Sequence, residues 1–110
     1  MLLINAVIQL TEYVENSQSF YAEWFSSLDA APAARIDRYV RRMEFGNFGD
    51  LESVGEGVRD LRINFGPGYR VYYGIDEGRI VLLLGSGTKR GQSREIRKAI
   101  DRWATYKKRK

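Results

Sequence analysis

The pattern of apolar and polar residues predicts four β-strands in this chain. The first is expected within residues 3–13, and the other three follow one another closely at residues 61–65, 69–75 and 80–84. Gly66-Pro67-Gly68 and Glu77-Gly78 separate these three strands as turns, because proline fixes one backbone dihedral and glycine tolerates positive φ. The last strand is apolar on both faces, which indicates a central position in a sheet.

Three further segments have apolar residues at helical spacing. They are residues 20–28 with Ser17 or Ser19 as the N-cap, a segment from Pro32 to a stop at Gly46, and a last helix whose stripe is Ile96, Ala99, Ile100 and Trp103. Residues 46–57, which contain four glycines, are expected to form an ordered loop. The order strand, helix, helix, three antiparallel strands, helix predicts a small α+β domain, and 110 residues fit one domain over residues 1–110.

The turn at residues 66–68 determines which side chains of the predicted hairpin share a face. If these three residues form the loop, Asn64 lies opposite Arg70 and Arg62 lies opposite Tyr72. These four side chains then project from one face of the sheet. The apolar side chains of the same strands project from the other face, where the helices are expected to pack.

Two guanidinium groups, a phenol and an amide on an open sheet face are suited to binding a phosphodiester. Guanidinium groups match the geometry of phosphate with paired hydrogen bonds, and a tyrosine ring stacks on a base. The alternative interpretation is structural: arginine stacks on tyrosine across the strands, and both arginines form salt links to Asp60 or Asp76.

Charge is distributed unevenly along the chain, although the net charge is only +4. Residues 1–31 contain four acids and no Lys or Arg, whereas residues 59–110 contain fourteen Lys or Arg against five acids. A strongly basic half is typical of a protein that binds a polyanion, and a solubilising surface with a basic tail is the alternative.

The composition also excludes several kinds of chemistry. The sequence contains no histidine and no cysteine, so an imidazole base, a disulfide and a thiolate metal site are impossible. We expect no metal and no cofactor. The longest apolar run, residues 80–84, is too short to span a bilayer, and we expect a cytoplasmic protein that does not bind membranes.

The basic loop at residues 85–93 is not a nucleotide-binding motif. Thr88, rather than glycine, precedes Lys89, and the glycine spacing does not fit the dinucleotide fingerprint. The segment is instead predicted to be a flexible basic loop beside the hairpin. The loop leads into the N-terminus of the last helix, a position that favours anions. The predicted RNA-binding residues are Arg90, Asn64, Gln92 and Arg94.

Cleavage of RNA is the reaction that these residues could support. Attack of a 2′-hydroxyl on its own phosphate requires a strand held in line, a stabilised phosphorane and proton transfer. Arg62 and Arg70 could provide the first two, and proton transfer would depend on Lys89, Tyr72 or a carboxylate such as Asp60. The predicted catalytic residues are therefore Arg70, Lys89, Arg62 and Tyr72.

Several segments together resemble the RelE/HigB-type addiction-module killer proteins, a branch of the RelE/ParE toxin superfamily. They are residues 42–50 (RMEFGNFGD), 54–58 (VGEGV), 60–63 (DLRI) and 66–73 (GPGYRVYY), together with Phe20-x-x-x-Trp24-Phe25 and the stretch 82–92. The resemblance covers nearly the whole chain, and it is the combination of segments that is specific.

The resemblance implies a bacterial toxin whose helices pack on one face of a small twisted antiparallel sheet, with the other face open to RNA. RelE-type toxins cut mRNA in the ribosomal A site. Arg70 matches the phosphate-stabilising arginine of the family, and Lys89 and Arg90 match the basic positions before the last helix. Where RelE itself carries a functional tyrosine, this chain has Ile96. The implied partners are a helix-turn-helix antitoxin, mRNA and the ribosome.

Three functions remain open from the sequence. The first is a metal-independent, ribosome-dependent endoribonuclease that inhibits translation. The second is a toxin of the same fold that poisons DNA gyrase, as ParE-like members do. The third is a decayed toxin that binds RNA or the ribosome without cutting. The combination of Arg62, Arg70 and Lys89 favours the first.

Overall fold

The computed structural model describes residues 8–110 as an α+β protein with three α-helices and a mixed five-stranded sheet. The elements are β1 (Gln9–Glu12), β2 (Val14–Glu15), β3 (Gln18–Ser19), α1 (Phe20–Ser26), α2 (Ala30–Arg42), a 3₁₀ turn (Met43–Phe45), β4 (Asp50–Gly55), β5 (Val58–Ile63), β6 (Tyr69–Asp76), β7 (Ile80–Thr88) and α3 (Gln92–Arg109). The first five residues of the predicted opening strand lie outside the described residues, and β1 confirms its later part.

The sheet has the strand order β1-β7-β6-β5-β4. Strands β4 to β7 are antiparallel neighbours, and β1 pairs in parallel with β7. The short strands β2 and β3 form a separate two-stranded ribbon. The sheet is therefore mixed, and β7 is an inner strand, as its apolar character on both faces predicts.

Local chemistry accounts for the start of α1, for Pro32 in the first turn of α2 and for the end of the helical segment after α2. The Ser19 hydroxyl accepts a hydrogen bond from the backbone N–H of Ala22 at 3.0 Å and caps α1. Pro32 lies in the first turn of α2, where its missing N–H costs nothing. After the 3₁₀ turn, Gly46 adopts a φ of +82° and ends the helical segment, as predicted.

The predicted loop at residues 46–57 is wrong in its second half, because residues 50–55 form strand β4. This strand lies at the sheet edge and is mostly exposed, so it lacks the apolar alternation that identifies a half-buried strand. Glu56 and Gly57 connect it to β5 with φ values of +54° and +86°, as in a tight hairpin turn.

The helices cover both faces of the sheet, so the expectation that they pack on one face is wrong. On one face Tyr21 of α1, together with Ile36 and Val40 of α2, packs against buried side chains of β5, β6 and β7. On the other face Ala99 and Trp103 of α3 pack on a second cluster. The physical reason is that β6 and β7 bury side chains on both faces, which requires a layer on each side.

Strand β7 also runs farther than predicted, through the glycine-rich residues 85–88. Side chains of α3 lie close to the strand there, so a larger residue would have to displace them. A Cβ atom at Gly85 would lie 2.7 Å from Nη1 of Arg102, and one at Gly87 would lie 3.2 Å from Cγ of Glu95. The glycines that suggested a loop therefore allow the last helix to approach the sheet.

Candidate functional site

The structure places Arg62, Arg70 and Tyr72 on the same face of the sheet, as the sequence predicts. The predicted pairing itself is wrong by two residues. Arg62 lies opposite Arg70, and Asp60 lies opposite Tyr72. The connection between β5 and β6 is longer than the predicted three residues, so the pairing shifts, but a shift of two keeps every side chain on its face.

Asp60 lies between the two arginines. Its Oδ1 is 3.5 Å from Nε of Arg62, and its Oδ2 is 3.5 Å from Nη1 of Arg70. Asp60 also accepts a hydrogen bond at 3.1 Å from the backbone N–H of Glu52, whose own carboxylate lies 2.8 Å from Nη2 of Arg62. We call Glu52, Asp60, Arg62 and Arg70 the arginine cluster.

The arginine cluster is electrically balanced, because two guanidinium groups face two carboxylates. The Asp60 side chain is 3% exposed, that of Arg70 is 10% exposed and that of Arg62 is 29% exposed. Nε of Arg62 and Nη1 of Arg70 have no hydrogen-bond partner among the described residues. Both atoms are buried and face Asp60, so any donor available to a ligand belongs to the rest of each guanidinium group, and Arg62 is the more accessible arginine.

Tyr72 does not lie on an open surface, so this part of the prediction is wrong. Its exposed fraction is 0%, and it belongs to the apolar cluster beneath α3 with Leu84, Ala99 and Trp103. Burial, followed by the negative charge of Asp60, raises the pKa of Tyr72 to about 12. The phenol is therefore protonated near neutral pH and is shielded from a ligand in solution by α3.

The basic loop lies beside the β5–β6 connection, as predicted. The backbone N–H of Lys89 donates to the carbonyl oxygen of Gly68 at 2.7 Å, two residues from Arg70. The side chains of Lys89 and Arg90 are exposed, as are those of Asn64 and Gln92. The loop is thus an accessible cationic feature close to the half-buried arginine cluster.

A second cationic feature is a cleft of about 590 Å³ at the edge of β7 between α1 and α3. We call it the β7-edge cleft. Its lining includes Phe20, Glu23, Trp24, Ser86, Arg90, Arg94, Glu95, Lys98 and Arg102, together with glycines and Thr88 of β7 and the following loop. Two of the predicted RNA-binding residues, Arg90 and Arg94, therefore lie together in this cleft, whereas Asn64 and Gln92 do not line it.

The sequence prediction missed two cationic residues of this cleft, Lys98 and Arg102. Arg94, Lys98 and Arg102 are four residues apart in sequence, so they form one stripe along α3. That spacing was visible in the sequence and is the signal that could have found them. Ser86 had no comparable signal, because its orientation depends on an irregularity in the pairing of β6 and β7.

Arg102 is held in a fixed position at this cleft. Its guanidinium group lies 3.7 Å from the centre of the Phe20 ring, and Nη1 donates to the carbonyl oxygen of Leu84 at 2.8 Å. Burial lowers the pKa of Arg102 from its ordinary value, and the nearby carboxylate of Glu95 opposes that effect. The group remains a cation near neutral pH, with further N–H donors beyond the one that Leu84 uses.

No group of acidic side chains suitable for holding a metal ion occurs within residues 8–110. None of the helices in that range is both long and apolar enough to cross a membrane.

Fold and site together define an α+β protein with a sheet covered on both faces, a half-buried arginine cluster and a cationic cleft. No protein-family model matches the sequence. An uncharacterized protein of Haemophilus influenzae is 42% identical to this chain over 80 residues, which are 72% of this chain and 81% of the relative. The chain belongs to the same family as this H. influenzae protein.

Proposed function

We propose that this chain is the toxin of a toxin–antitoxin pair and that it inhibits translation by cutting mRNA on the ribosome. The observation that carries the proposal is the position of Arg62 directly opposite Arg70, close to the exposed Lys89. The resemblance to RelE/HigB-type proteins supports it, as does the basic second half of the chain. The proposal includes a RelE-like topology and a helix-turn-helix antitoxin as the protein partner.

In this mechanism the arginine cluster binds the phosphate that is cleaved. The ribose 2′-oxygen attacks phosphorus, the bond to the 5′-oxygen breaks, and a 2′,3′-cyclic phosphate and a free 5′-hydroxyl are formed. Arg70 and Arg62 would present the N–H groups that do not face Asp60 to the non-bridging oxygens, where negative charge develops. Both guanidinium groups remain protonated throughout.

Proton transfer is assigned to Lys89 rather than Tyr72. Tyr72 lies under α3, and Asp60 is occupied by two guanidinium groups. Lys89 is exposed beside the β5–β6 connection and is free to approach the 2′-hydroxyl. In its uncharged amine form Lys89 would accept that proton and become an ammonium group, and water would supply the proton that the departing 5′-oxygen requires.

A second candidate function is RNA or ribosome binding without cleavage. Two observations favour it: the burial of Tyr72, and the balance of charge within the arginine cluster. Under this alternative, Asp60 holds Arg62 and Arg70 as structural residues, and binding depends on the exposed cations of the loop and the β7-edge cleft.

The experiment that separates these functions is cleavage of a defined mRNA on translating ribosomes by the purified chain. We expect cuts in phase with codons for the wild type and for the control Arg38→Ala, whose exposed arginine lies on α2 away from the cluster. Arg70→Ala should cut about 10²–10³-fold more slowly, the loss typical of one oxyanion donor, while remaining folded. Inhibition of translation without cuts would support the binding function and contradict cleavage, and DNA breaks in cells would indicate gyrase poisoning instead.

A further inference from the structure

The β7-edge cleft exists because β1 is shorter than β7. β1 pairs only with residues 80–83, and within the described chain no strand pairs with this edge of β7 over residues 84–88. There α1 lies on one side of the edge and α3 on the other. Arg62, Arg70 and Tyr72 do not line the cleft, so it is separate from the arginine cluster.

The charge of the cleft favours an anion. Its lining includes four cations, Arg90, Arg94, Lys98 and Arg102, but only two acids. Lys98 lies 3.6 Å from one of these acids, Glu95, so these two charges largely offset each other. Arg90 and Arg94 form no salt bridge with any residue in the range 8–110, and they leave the cleft with uncompensated positive charge.

Ser86 provides a hydrogen-bond donor that the folded chain leaves unused. The residue is only 8% exposed, and its Oγ has no hydrogen-bond partner among the described residues. An irregularity in the pairing places Tyr72 opposite Gly85 and Tyr73 opposite Leu83, so that Ser86 faces away from α3. A buried hydroxyl without a partner costs free energy, which a bound acceptor oxygen would recover.

Trp24 gives the cleft an aromatic wall. The indole is half-buried, and its other contacts include the ring of Tyr69, with ring centres 6.1 Å apart at an angle of 66°. Aromatic side chains of this kind stack on nucleic-acid bases. The volume of about 590 Å³ lies within the range typical of sites for small molecules.

We propose that the β7-edge cleft binds one nucleoside monophosphate unit, with its phosphate at Arg94, Arg102 and Ser86 and its base against Trp24. The unit is either a free nucleotide or one residue of an RNA strand. Unpaired cations and an unused buried hydroxyl suit an anion, and an aromatic wall suits a planar ring. This site goes beyond the proposed catalytic function and does not depend on it.

The test is a fluorescence titration of the full chain with adenosine monophosphate, inorganic phosphate and a single-stranded tetra-adenylate. We expect both adenine ligands to quench the indole saturably and to bind more tightly than phosphate, and Trp24→Phe to remove the quench. Tighter binding of the tetra-adenylate would identify an RNA strand as the source, and equal binding a free nucleotide. No saturable binding, or equal affinity for phosphate and adenosine monophosphate, would overturn the proposal.

Matched variants locate the binding site. Arg94→Ala should raise the Kd for adenosine monophosphate about tenfold, whereas Arg97→Ala, an exposed arginine on α3 outside the cleft, should leave it unchanged. Ser86→Ala should raise the Kd about threefold without lowering the free energy of unfolding, because it removes an unsatisfied group. Equal Kd values for Arg94→Ala and Arg97→Ala would contradict the site.

Arg70→Ala distinguishes this proposal from the catalytic one. Because Arg70 does not line the cleft, the variant should bind adenosine monophosphate like the wild type even where mRNA cleavage is lost. A large loss of nucleotide affinity in Arg70→Ala would show that the nucleotide binds at the arginine cluster and not in the β7-edge cleft.

Discussion

At the scale of single residues, Asp60 has the largest influence on the arginine cluster. It is buried, it faces both guanidinium groups, and it accepts a backbone hydrogen bond from Glu52. Arg70 has only Asp60 as a charged partner within the described part of the chain, whereas Asp60 keeps Arg62 when Arg70 is removed. Removal of the Asp60 charge therefore leaves Arg70 without a counter-charge, whereas removal of Arg70 leaves Asp60 paired with Arg62.

We expect Asp60→Asn to lower the free energy of unfolding more than Arg70→Ala. Asp60→Asn leaves a nearly buried guanidinium group without its counter-charge and should cost about 3 kcal/mol. Arg70→Ala leaves Asp60 with other partners and should cost about 1.5 kcal/mol. Urea unfolding at neutral pH measures both values, and equal or reversed costs would contradict the central position of Asp60.

Tyr72 provides a second prediction at this scale. Its hydroxyl is buried without a hydrogen-bond partner among the described residues, so Tyr72→Phe should leave stability unchanged or raise it by up to about 1 kcal/mol. The same variant should cut mRNA at the wild-type rate, because the phenol lies under α3. Loss of cleavage by a variant with unchanged stability would mean that the hydroxyl does reach the RNA.

At the scale of elements, the position of α3 depends on glycines in the strands beneath it. A Cβ atom at Gly74 of β6 would lie 2.6 Å from two ring carbons of Trp103. Such a contact requires α3 to move or the indole to change its rotamer. The small residue on β6 and the large one on α3 therefore form a matched pair.

Gly74→Ala is expected to lower the free energy of unfolding by about 1–3 kcal/mol through this overlap. In a Trp103→Leu background the same glycine substitution should cost less than about 1 kcal/mol, because the clashing ring is gone. A double-mutant cycle by thermal or urea unfolding gives the coupling. If the two backgrounds give the same cost, the contact with Trp103 does not fix the helix.

The sequence failed to predict β4 and the last part of β7 for one shared reason. β4 is an exposed edge strand, and the last part of β7 is rich in glycine, so neither has the apolar alternation of a half-buried strand. Glu56-Gly57 is the same dipeptide as Glu77-Gly78, which the sequence predicts to be a turn. It could therefore have indicated the β4–β5 hairpin. The helices were predicted more closely, because capping residues and apolar stripes are local signals.

In the candidate site, too, the features with a local sequence signal were predicted and the features that depend on tertiary packing were not. Arg62, Arg70 and Tyr72 were placed on one face correctly because a slip of two residues does not change the face of a strand residue. The orientation of Ser86 was unpredictable, because one extra residue in the pairing of β6 and β7 reverses the faces. Burial of Tyr72 depends on where α3 packs, which no local pattern determines.

At the scale of the whole molecule, the last residues of the chain fasten α3 to the end of β6. The carboxylate of Asp76 accepts hydrogen bonds from the Tyr106 hydroxyl, at 2.7 Å, and from the ammonium group of Lys110. These hydrogen bonds, Lys110 first and then Tyr106, lower the pKa of Asp76 below its ordinary value of 3.8.

This link predicts a loss of stability in acid. Because the pKa of Asp76 is lower in the folded state, its contribution is present above about pH 4 and is lost as the pH falls through the folded-state value. The decrease in the free energy of unfolding between pH 7 and pH 3 should therefore be smaller in Asp76→Asn than in the wild type. An equal decrease in the two proteins would show that this carboxylate does not contribute to the acid response.

The proposed activity is tested most directly by mapping the 5′ ends of cellular mRNAs after brief induction of the chain. We predict new ends at fixed codon positions inside reading frames in cells that express the wild type or Arg38→Ala, and none in cells that express Arg70→Ala at the same level. Growth arrest by the wild type without new mRNA ends would contradict cleavage.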